Sequence, residues 1–132
     1  MARILLINDE PDLLQMCRMV LQSEGHDVTV TSDTSHVVEL AAKTADIVVL
    51  DLVMPGTNGE AVLARLRESP ETRSIPVVIM SALHDAKDRA AALGADGFVG
   101  KPFEPNALFE TVDRALAASR AGDRDQRVRG SA

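Results

Sequence analysis

The sequence predicts a three-layer α/β fold built around a parallel sheet of five strands. Five short apolar runs alternate with longer segments whose apolar residues recur at helical spacing, and this alternation is typical of repeated β-α units. Three of the runs are apolar at every position, as expected for strands that helices cover on both faces. With 132 residues, the chain is long enough for one domain with a hydrophobic core but not for two.

The first unit runs from strand to helix to strand. A strand is predicted over about residues 3–8, and Pro11 suits the first turn of the following helix because an N–H there would have no intrahelical partner. Gly25 is a typical residue for ending that helix. Asp27–Thr31 alternates apolar and polar residues, as a half-buried strand does. The apolar stripe of the helix consists of Leu13, Leu14, Cys17, Val20 and Leu21.

The middle of the chain predicts a weak helix, a buried strand and a second helix. The weak helix covers about residues 35–43, and the strand covers about residues 46–52. The turn-rich segment 55–59 leads into a helix that ends near Glu68, because Pro70 follows it closely. The inward residues of this helix are Val62, Leu63 and Leu66.

The last third of the chain predicts two more strands, each followed by a helix. The strands cover about residues 75–81 and Gly97–Gly100. Between them lies an Ala-rich helix that ends near Gly94, and Pro105 opens the last helix. The inward face of the last helix consists of Leu108, Val112, Ala115 and Leu116.

The strand patterns also predict the order of the strands in the sheet. The second strand alternates and the fifth is short, so both suit the edges, whereas the first, third and fourth suit the interior. With right-handed crossovers, these positions give the order 2-1-3-4-5. Ligands of such sheets bind outside the carboxyl ends of the strands where the winding reverses, which is between the first and third strands. Asp9 and Asp51 lie there.

Composition and charge exclude several classes of protein. The net charge is −6; residues 119–132 contribute +2, which leaves −8 on residues 1–118 and argues against nucleic-acid binding by the domain. The single Cys17 excludes an internal disulfide and a Cys-rich zinc site. No apolar stretch approaches the ~20 residues of a membrane span, and there is no signal-peptide pattern, so we expect a cytoplasmic protein without membrane contact. We predict one domain over residues 1–120 and a disordered basic tail over 121–132.

Four polar residues follow or end apolar runs: Asp9, Asp51, Ser81 and Lys101. Because the carboxyl ends of parallel strands meet at one edge of a sheet, we expect these side chains to converge. Two clustered carboxylates favour Mg²⁺, which prefers oxygen ligands and keeps several waters. An Asp carboxylate can also act as a nucleophile toward phosphorus, and a metal, an ammonium and a hydroxyl can neutralise charge on the phosphoryl oxygens.

With these residues, the chain resembles the receiver domain of bacterial two-component response regulators over about residues 3–118. The resemblance implies a flavodoxin-like (βα)5 fold and a signalling domain that is not an enzyme in the usual sense. Four markers occur in the order and spacing of that family, at the ends of the corresponding strands. They are Asn8-Asp9-Glu10-Pro11, Asp51-Leu52-Val53-Met54-Pro55-Gly56, Ser81-Ala82 and Lys101-Pro102-Phe103.

The resemblance implies that Asp51 accepts a phosphoryl group from a sensor histidine kinase or a histidine phosphotransfer protein. It also implies that Asp9, Asp51 and the backbone carbonyl of Val53 hold Mg²⁺ or Mn²⁺. Lys101 would pair with the acidic cluster and then with the phosphoryl group. By the same resemblance, residues two positions after Asp51 and Ser81 flank the path of a hydrolytic water. They are Val53 and Leu83, both apolar, so we expect slow loss of the phosphoryl group.

Ser81 and Phe98 occupy the switch positions of the family. The resemblance implies that Ser81 turns toward the phosphoryl group while Phe98 moves inward, which is a population shift between two packings. The output face would comprise the fourth helix, the fifth strand and the last helix. Through this face the domain would bind a downstream protein or form a homodimer.

Asn8 replaces the first of the two acids that the family usually has after the first strand. Its side chain can hydrogen-bond a metal-bound water but carries no charge, so we expect weaker Mg²⁺ binding than in an Asn8→Asp variant. Glu10 is interpreted as a solvated acid with a lesser role in the metal shell.

Two alternative functions are also compatible with the sequence. The loss of an acid at position 8 is compatible with a degenerate receiver that acts as a phosphate-independent interaction module. An aspartyl-phosphate phosphohydrolase of similar architecture would need a second Asp two residues after the nucleophile, where this chain has Val53. A phosphodonor assay separates these functions.

Overall fold

The computed structural model describes residues 2–54, 57–81, 86–100 and 105–130, and its centre is a sheet of five parallel strands. These are β1 (Arg3–Ile7), β2 (Asp27–Thr31), β3 (Ile47–Asp51), β6 (Val77–Ser81) and β7 (Gly97–Gly100), and two short strands between them, β4 (Val53–Met54) and β5 (Thr57–Asn58), form a separate antiparallel pair. The main sheet has the order β2-β1-β3-β6-β7. When the short pair is left out, this is the order 2-1-3-4-5, so the predicted flavodoxin-like topology is confirmed.

Within the described residues, five helices connect the strands and cover both faces of the sheet. They are α1 (Pro11–Ser23), α2 (Val37–Thr44), α3 (Gly59–Glu68), α4 (Ala86–Ala92) and α5 (Pro105–Gly130). Pro11 and Pro105 are each the first residue of their helix, as predicted, since proline fits where no N–H is needed.

Helix α2 begins at Val37, two residues later than the sequence predicts. The reason is a local turn in which one carboxylate oxygen of Asp33 accepts hydrogen bonds from the backbone N–H and the hydroxyl of Ser35, at 2.9 and 2.6 Å. Such Asx turns compete with the helix for the backbone. Residues 33–35 therefore form the entry to α2 rather than its first turn.

The sheet separates two apolar clusters, because consecutive strand residues point to opposite faces. One cluster lies under α2, α3 and α4 and includes Leu5, Ile7, Val48, Leu50, Val62, Leu63, Leu66 and Ile79. The other lies under α1 and α5 and includes Ile4, Leu6, Cys17, Leu21, Val49, Met80, Leu108 and Val112. This two-sided burial explains why β1, β3 and β6 are apolar at successive positions. Burial of each large aliphatic side chain contributes about 1.5–3 kcal/mol.

Arg67 in the last turn of α3 connects three segments at the amino ends of β6 and β7. Its guanidinium donates hydrogen bonds to the carbonyl oxygens of Ile75 and Gly94, both at 2.7 Å, and to a carboxylate oxygen of Asp96 at 2.6 Å. The same oxygen of Asp96 accepts a hydrogen bond from the N–H of Val77 at 2.9 Å. Gly94 adopts a φ of +89°, the left-handed conformation that commonly follows a helix.

Helix α5 continues to Gly130, beyond residue 120, where the sequence places the end of the domain. The disorder predicted for residues 121–132 is not tested and stays a prediction. Among the described residues, no helix combines the length and the apolar character that a membrane span requires.

Candidate functional site

The carboxyl ends of β1, β3 and β6 bring Asn8, Asp51 and Ser81 to one edge of the sheet. Asp51 is the last residue of β3 and is fully buried. Ile7 pairs with Leu50 in the β1–β3 register, so the residues that follow them, Asn8 and Asp51, are neighbours across the two strands. Ser81 ends β6 and is 1% exposed. Of the four residues predicted to converge, Asp51 and Ser81 end adjacent strands, Asp9 directly follows Asn8, and Lys101 lies outside the described residues.

Hydrogen bonds fix the orientation of the Asn8 side chain. Its Oδ1 accepts a hydrogen bond from the backbone N–H of Glu10 at 2.9 Å, and its own backbone N–H donates to the carbonyl of Thr31 at 3.2 Å. Asn8 is fully buried, and its Nδ2 has no hydrogen-bond partner within the described part of the chain. An unsatisfied buried donor costs about 1–3 kcal/mol, so this atom is a natural contact for a ligand oxygen.

Asp9 carries a second unsatisfied atom, of the opposite polarity. The residue is partly buried, and its Oδ1 is buried without a hydrogen-bond partner among the described residues. Glu10, the next residue, is exposed. A buried carboxylate oxygen that lacks a donor favours a cation beside it.

The acids at this edge fit Mg²⁺ better than a metal that needs a complete protein shell. Asp9 and Asp51 offer carboxylate oxygens, the ligands that Mg²⁺ prefers, and Mg²⁺ retains waters in its remaining positions. Across the described ranges, no group of three or more His, Cys, Asp or Glu side chains is placed to bind a metal ion. The donor set therefore provides two carboxylates, and Asn8 adds none.

Gly59 lies against the backbone of the candidate phosphoacceptor, a contact that the sequence analysis did not predict. A Cβ at this position would be 2.5 Å from the carbonyl oxygen of Leu52 and 2.8 Å from that of Asp51, and the Gly59 N–H donates to the Leu52 carbonyl at 3.3 Å. Asn58 caps α3 by accepting hydrogen bonds from the N–H groups of Glu60 and Ala61. Only glycine permits α3 to begin so close to β3. The Asn-Gly pair was the available signal, since Asn is a favoured N-cap residue.

Gly100 lies between the two predicted switch residues. It pairs with Ser81 in the β6–β7 register, and a Cβ placed on it would lie 3.5 Å from Cε1 of Phe98. Phe98 is partly buried and packs against the apolar cluster under α2, α3 and α4. The strand end at Ser81 is thus linked to Phe98 through one small residue.

Phe98 also lines a surface groove between α4 and β7. The groove has a volume of about 210 Å³. Its other lining residues are Lys87, Ala90, Ala91, Ala95, Asp96 and Gly97. This groove lies on the face that the sequence predicts to be the output surface.

Other predicted site residues are only partly covered by the structure. Lys101 and Leu83 lie outside the described residues. Val53 belongs to β4, where its backbone position pairs with that of Asn58. Their predicted roles are not tested and stay predictions.

The fold and the arrangement at its carboxyl edge define a signalling domain of the receiver type. Residues 4–113 match the model of the response regulator receiver domain, and the chain belongs to this family. Receiver domains are signalling domains of two-component systems rather than classical enzymes.

Individual relatives support the assignment. The chain is 31% identical over 118 residues to the response regulator SaeR of Staphylococcus aureus, covering 88% of this chain and 51% of SaeR. It therefore spans about half the length of the curated relatives it matches. A crystal structure of a putative response regulator from Chloroflexus aurantiacus has a TM-score of 0.80 and 29% identity, with 89% of this chain and 99% of that chain covered.

A third comparison concerns the fold alone. The receiver domain of the sensor histidine kinase PA1611 from Pseudomonas aeruginosa has a TM-score of 0.78 and 24% identity, with 88% of this chain and 98% of that chain covered. That domain was crystallised with a magnesium ion coordinated in its active-site cleft.

Proposed function

We propose that this receiver domain is a phosphorylation-dependent switch that accepts a phosphoryl group on Asp51. The observation that carries the proposal is the fully buried Asp51 at the carboxyl edge of the sheet, next to Asn8, which directly follows the adjacent strand β1. Asp9 follows Asn8, and Ser81 ends the neighbouring strand on the other side. Folds of this kind bind ligands at the carboxyl ends of the strands where the winding of the sheet reverses, so an acid at this position is typical of a functional site.

The proposed chemistry is a phosphoryl transfer from a phosphohistidine. A carboxylate oxygen of Asp51 attacks phosphorus as the P–N bond to the imidazole breaks, and the imidazole nitrogen leaves with the bonding electron pair. The product is an aspartyl phosphate and a free histidine. The donor would be a sensor histidine kinase or a histidine phosphotransfer protein.

Asp9 and Asp51, together with the backbone carbonyl of Val53, would hold Mg²⁺ or Mn²⁺. The bound metal would neutralise charge on the phosphoryl oxygens. The unsatisfied Oδ1 of Asp9 supports this assignment, and the PA1611 receiver, which shares the fold, holds magnesium in its cleft. Lys101 would add a second positive charge at the same edge.

Ser81 would transmit the phosphorylation state to the output face. Its buried hydroxyl would donate to a phosphoryl oxygen, and Gly100 would connect this movement to the ring of Phe98. Phe98 lines the groove between α4 and β7, so a change in its packing alters the surface formed by α4, β7 and α5. A downstream protein or a second copy of the chain would bind there.

Incubation with Mg²⁺ and acetyl phosphate, followed by intact-mass measurement, tests the proposal. The wild-type protein is expected to gain the mass of one phosphoryl group, and Asp51→Asn is expected to gain none. Asp27→Asn, an exposed acid at the start of β2, is the matched control and is expected to behave as the wild type. Phosphorylation of Asp51→Asn to the wild-type level would refute the assignment of the acceptor.

A second candidate function is favoured by Asn8, which removes one charge from the metal site. A phosphate-independent interaction module would gain no phosphoryl group in the same assay, with or without Mg²⁺. It would bind its partner equally well as the wild type and as Asp51→Asn.

A further inference from the structure

Two unsatisfied atoms of opposite polarity lie at the carboxyl end of β1. Asn8 Nδ2 is a buried donor and Asp9 Oδ1 is a buried acceptor, and neither has a hydrogen-bond partner in the described ranges of the chain. Buried polar groups in native proteins are almost always satisfied by protein, water or ligand. The two atoms therefore need two different ligands. Asp9 Oδ1 needs a cation, and Asn8 Nδ2 needs an oxygen atom that accepts a hydrogen bond.

The orientation of the Asn8 amide determines which of the two ligands it can contact. Its Oδ1 already accepts from the Glu10 N–H at 2.9 Å. Rotating the amide by half a turn would place Nδ2 against that N–H, so that two donors would face each other. The amide is held with Nδ2 as its unsatisfied group. Hydrogen atoms of metal-bound water need acceptors, so Nδ2 does not match them.

We propose that Asn8 is an oxyanion contact, whose Nδ2 donates a hydrogen bond to an oxygen of the phosphoryl group on Asp51. This inference rests on the proposed function, and it replaces the expected role of Asn8 in holding a metal-bound water. Neighbouring strands are about 4.8 Å apart, so an amide beside Asp51 is within reach of a group carried on that side chain. An acid at position 8 would repel the phosphoryl oxygens, whereas a neutral donor attracts them.

The metal part of the inference is tested on the unphosphorylated protein. Calorimetric titration with Mg²⁺ compares wild type, Asn8→Ala and Asn8→Asp. Wild type and Asn8→Ala are expected to bind Mg²⁺ with the same affinity within about twofold, because Asn8 contributes nothing to the metal. Asn8→Asp is expected to bind about tenfold more tightly because it adds one negative charge to a partly solvated site. A loss of several-fold in Asn8→Ala would overturn the inference, because Asn8 would then support the metal.

The oxyanion part is tested by the side-chain amide signal of Asn8 in ¹H–¹⁵N spectra. The chain has three Asn residues, so the Asn8→Asp variant identifies the signal and the exposed Asn106 provides an internal control. Beryllium fluoride with saturating Mg²⁺ is the probe, as a phosphoryl mimic on Asp51. When beryllium fluoride is added, the Asn8 side-chain amide signal is expected to shift downfield, and its protons are expected to exchange more slowly with solvent. With Mg²⁺ alone the signal is expected to keep its position.

The two possible failures have different signatures. Wild-type protein that gains no phosphoryl mass from acetyl phosphate refutes the proposed function, and the inference that rests on it falls as well. A different result would refute the oxyanion contact and leave the proposed function intact. In that case Asp51 is phosphorylated normally, but the Asn8 signal does not shift with beryllium fluoride or shifts equally with Mg²⁺ alone.

Discussion

Gly59 lies where the start of α3 meets the backbone of the proposed phosphoacceptor. The 2.5 Å separation between a Cβ at position 59 and the Leu52 carbonyl oxygen leaves no room for any side chain. The contact is with backbone rather than with the end of a flexible side chain, so relief requires a shift of α3 or of the residues after β3. The packing of one glycine therefore positions Asp51.

Gly59→Ala is expected to lower the free energy of unfolding by about 1–3 kcal/mol, the usual effect of overpacking. It is also expected to slow phosphorylation of Asp51, because small displacements at a reacting group reduce rates strongly. Urea unfolding and the mass assay measure the two effects. Gly100→Ala is the control for the unfolding measurement alone, since its Cβ would meet Phe98 at an ordinary 3.5 Å; equal destabilisation by both substitutions would contradict the argument.

Asp33 provides a pH-dependent contact away from the site. Hydrogen bonds from the hydroxyl and the backbone N–H of Ser35 hold the pKa of Asp33 below its ordinary value. The charged form is thus favoured in the folded state, so the contribution to stability is present above the unfolded pKa and is lost as pH falls through the lowered folded pKa. We expect Ser35→Ala to raise the pKa of Asp33 in a carboxyl ¹³C titration. Ser32→Ala should leave it unchanged, and an identical titration in Ser35→Ala would exclude this cause.

Val53 and Leu83 are expected to determine how long Asp51 stays phosphorylated. Apolar side chains at these positions cannot orient a water for attack on phosphorus, and positioned acid–base groups contribute about 10²–10⁴-fold to such reactions. After removal of the phosphodonor, the Val53→Asn/Leu83→Glu variant is expected to lose its phosphoryl group faster than wild type, as followed by intact mass. Equal lifetimes of the two phosphoproteins would contradict this role.

At the scale of the elements, the carboxyl ends and the amino ends of the strands have different functions. The carboxyl edge carries the buried acid and the unsatisfied polar atoms, whereas the amino edge is closed by satisfied contacts around Arg67. A site that must accept a ligand gains from unpaired groups, and the opposite edge is free to supply rigidity. This separation allows stability and phosphorylation to be tested independently.

Arg67→Ala is expected to lower the free energy of unfolding by about 2–3 kcal/mol, because it removes the hydrogen bonds that a partly buried, charged side chain donates to Ile75, Gly94 and Asp96. The phosphorylation rate per folded molecule is expected to stay at the wild-type value. Urea unfolding and the mass assay measure both. Arg18→Ala, at an exposed position of α1, is the control. A slowed phosphorylation in folded Arg67→Ala would show that the two edges are coupled.

At the scale of the whole molecule, the features that sequence could predict are those set by periodicity and strand position. Uninterrupted apolar runs in β1, β3 and β6 predicted the interior strands, because helices cover both of their faces. The strand ends then predicted a shared edge for Asp9, Asp51, Ser81 and Lys101. Asp51 and Ser81 do end adjacent strands, whereas Lys101 lies outside the described residues. These features depend on patterns that extend along each segment, so they are visible without coordinates.

The features that sequence could not predict depend on contacts between particular atoms. Helix α2 begins later than predicted because Ser35 donates hydrogen bonds to Asp33, and this local turn competes with helix formation. The close approach of Gly59 to Leu52 requires the tertiary arrangement of α3 and β3. The orientation of the Asn8 amide depends on one hydrogen bond from Glu10, and it turns an expected water contact into a donor for an oxyanion.

The coupling between the phosphorylated edge and the output face leads to the last prediction. If Ser81 transmits the phosphorylation state through Gly100 and Phe98, phosphorylation changes amide hydrogen exchange across α4 and β7. Ser81→Ala removes the hydroxyl while leaving the acceptor, so at equal phosphoryl occupancy this change is expected to be lost. Hydrogen exchange measured by mass spectrometry over residues 86–100 detects this change, and Ser23→Ala, at an exposed position of α1, is the control. An undiminished change in phosphorylated Ser81→Ala would mean that the signal reaches α4 and β7 by another route, independent of this hydroxyl.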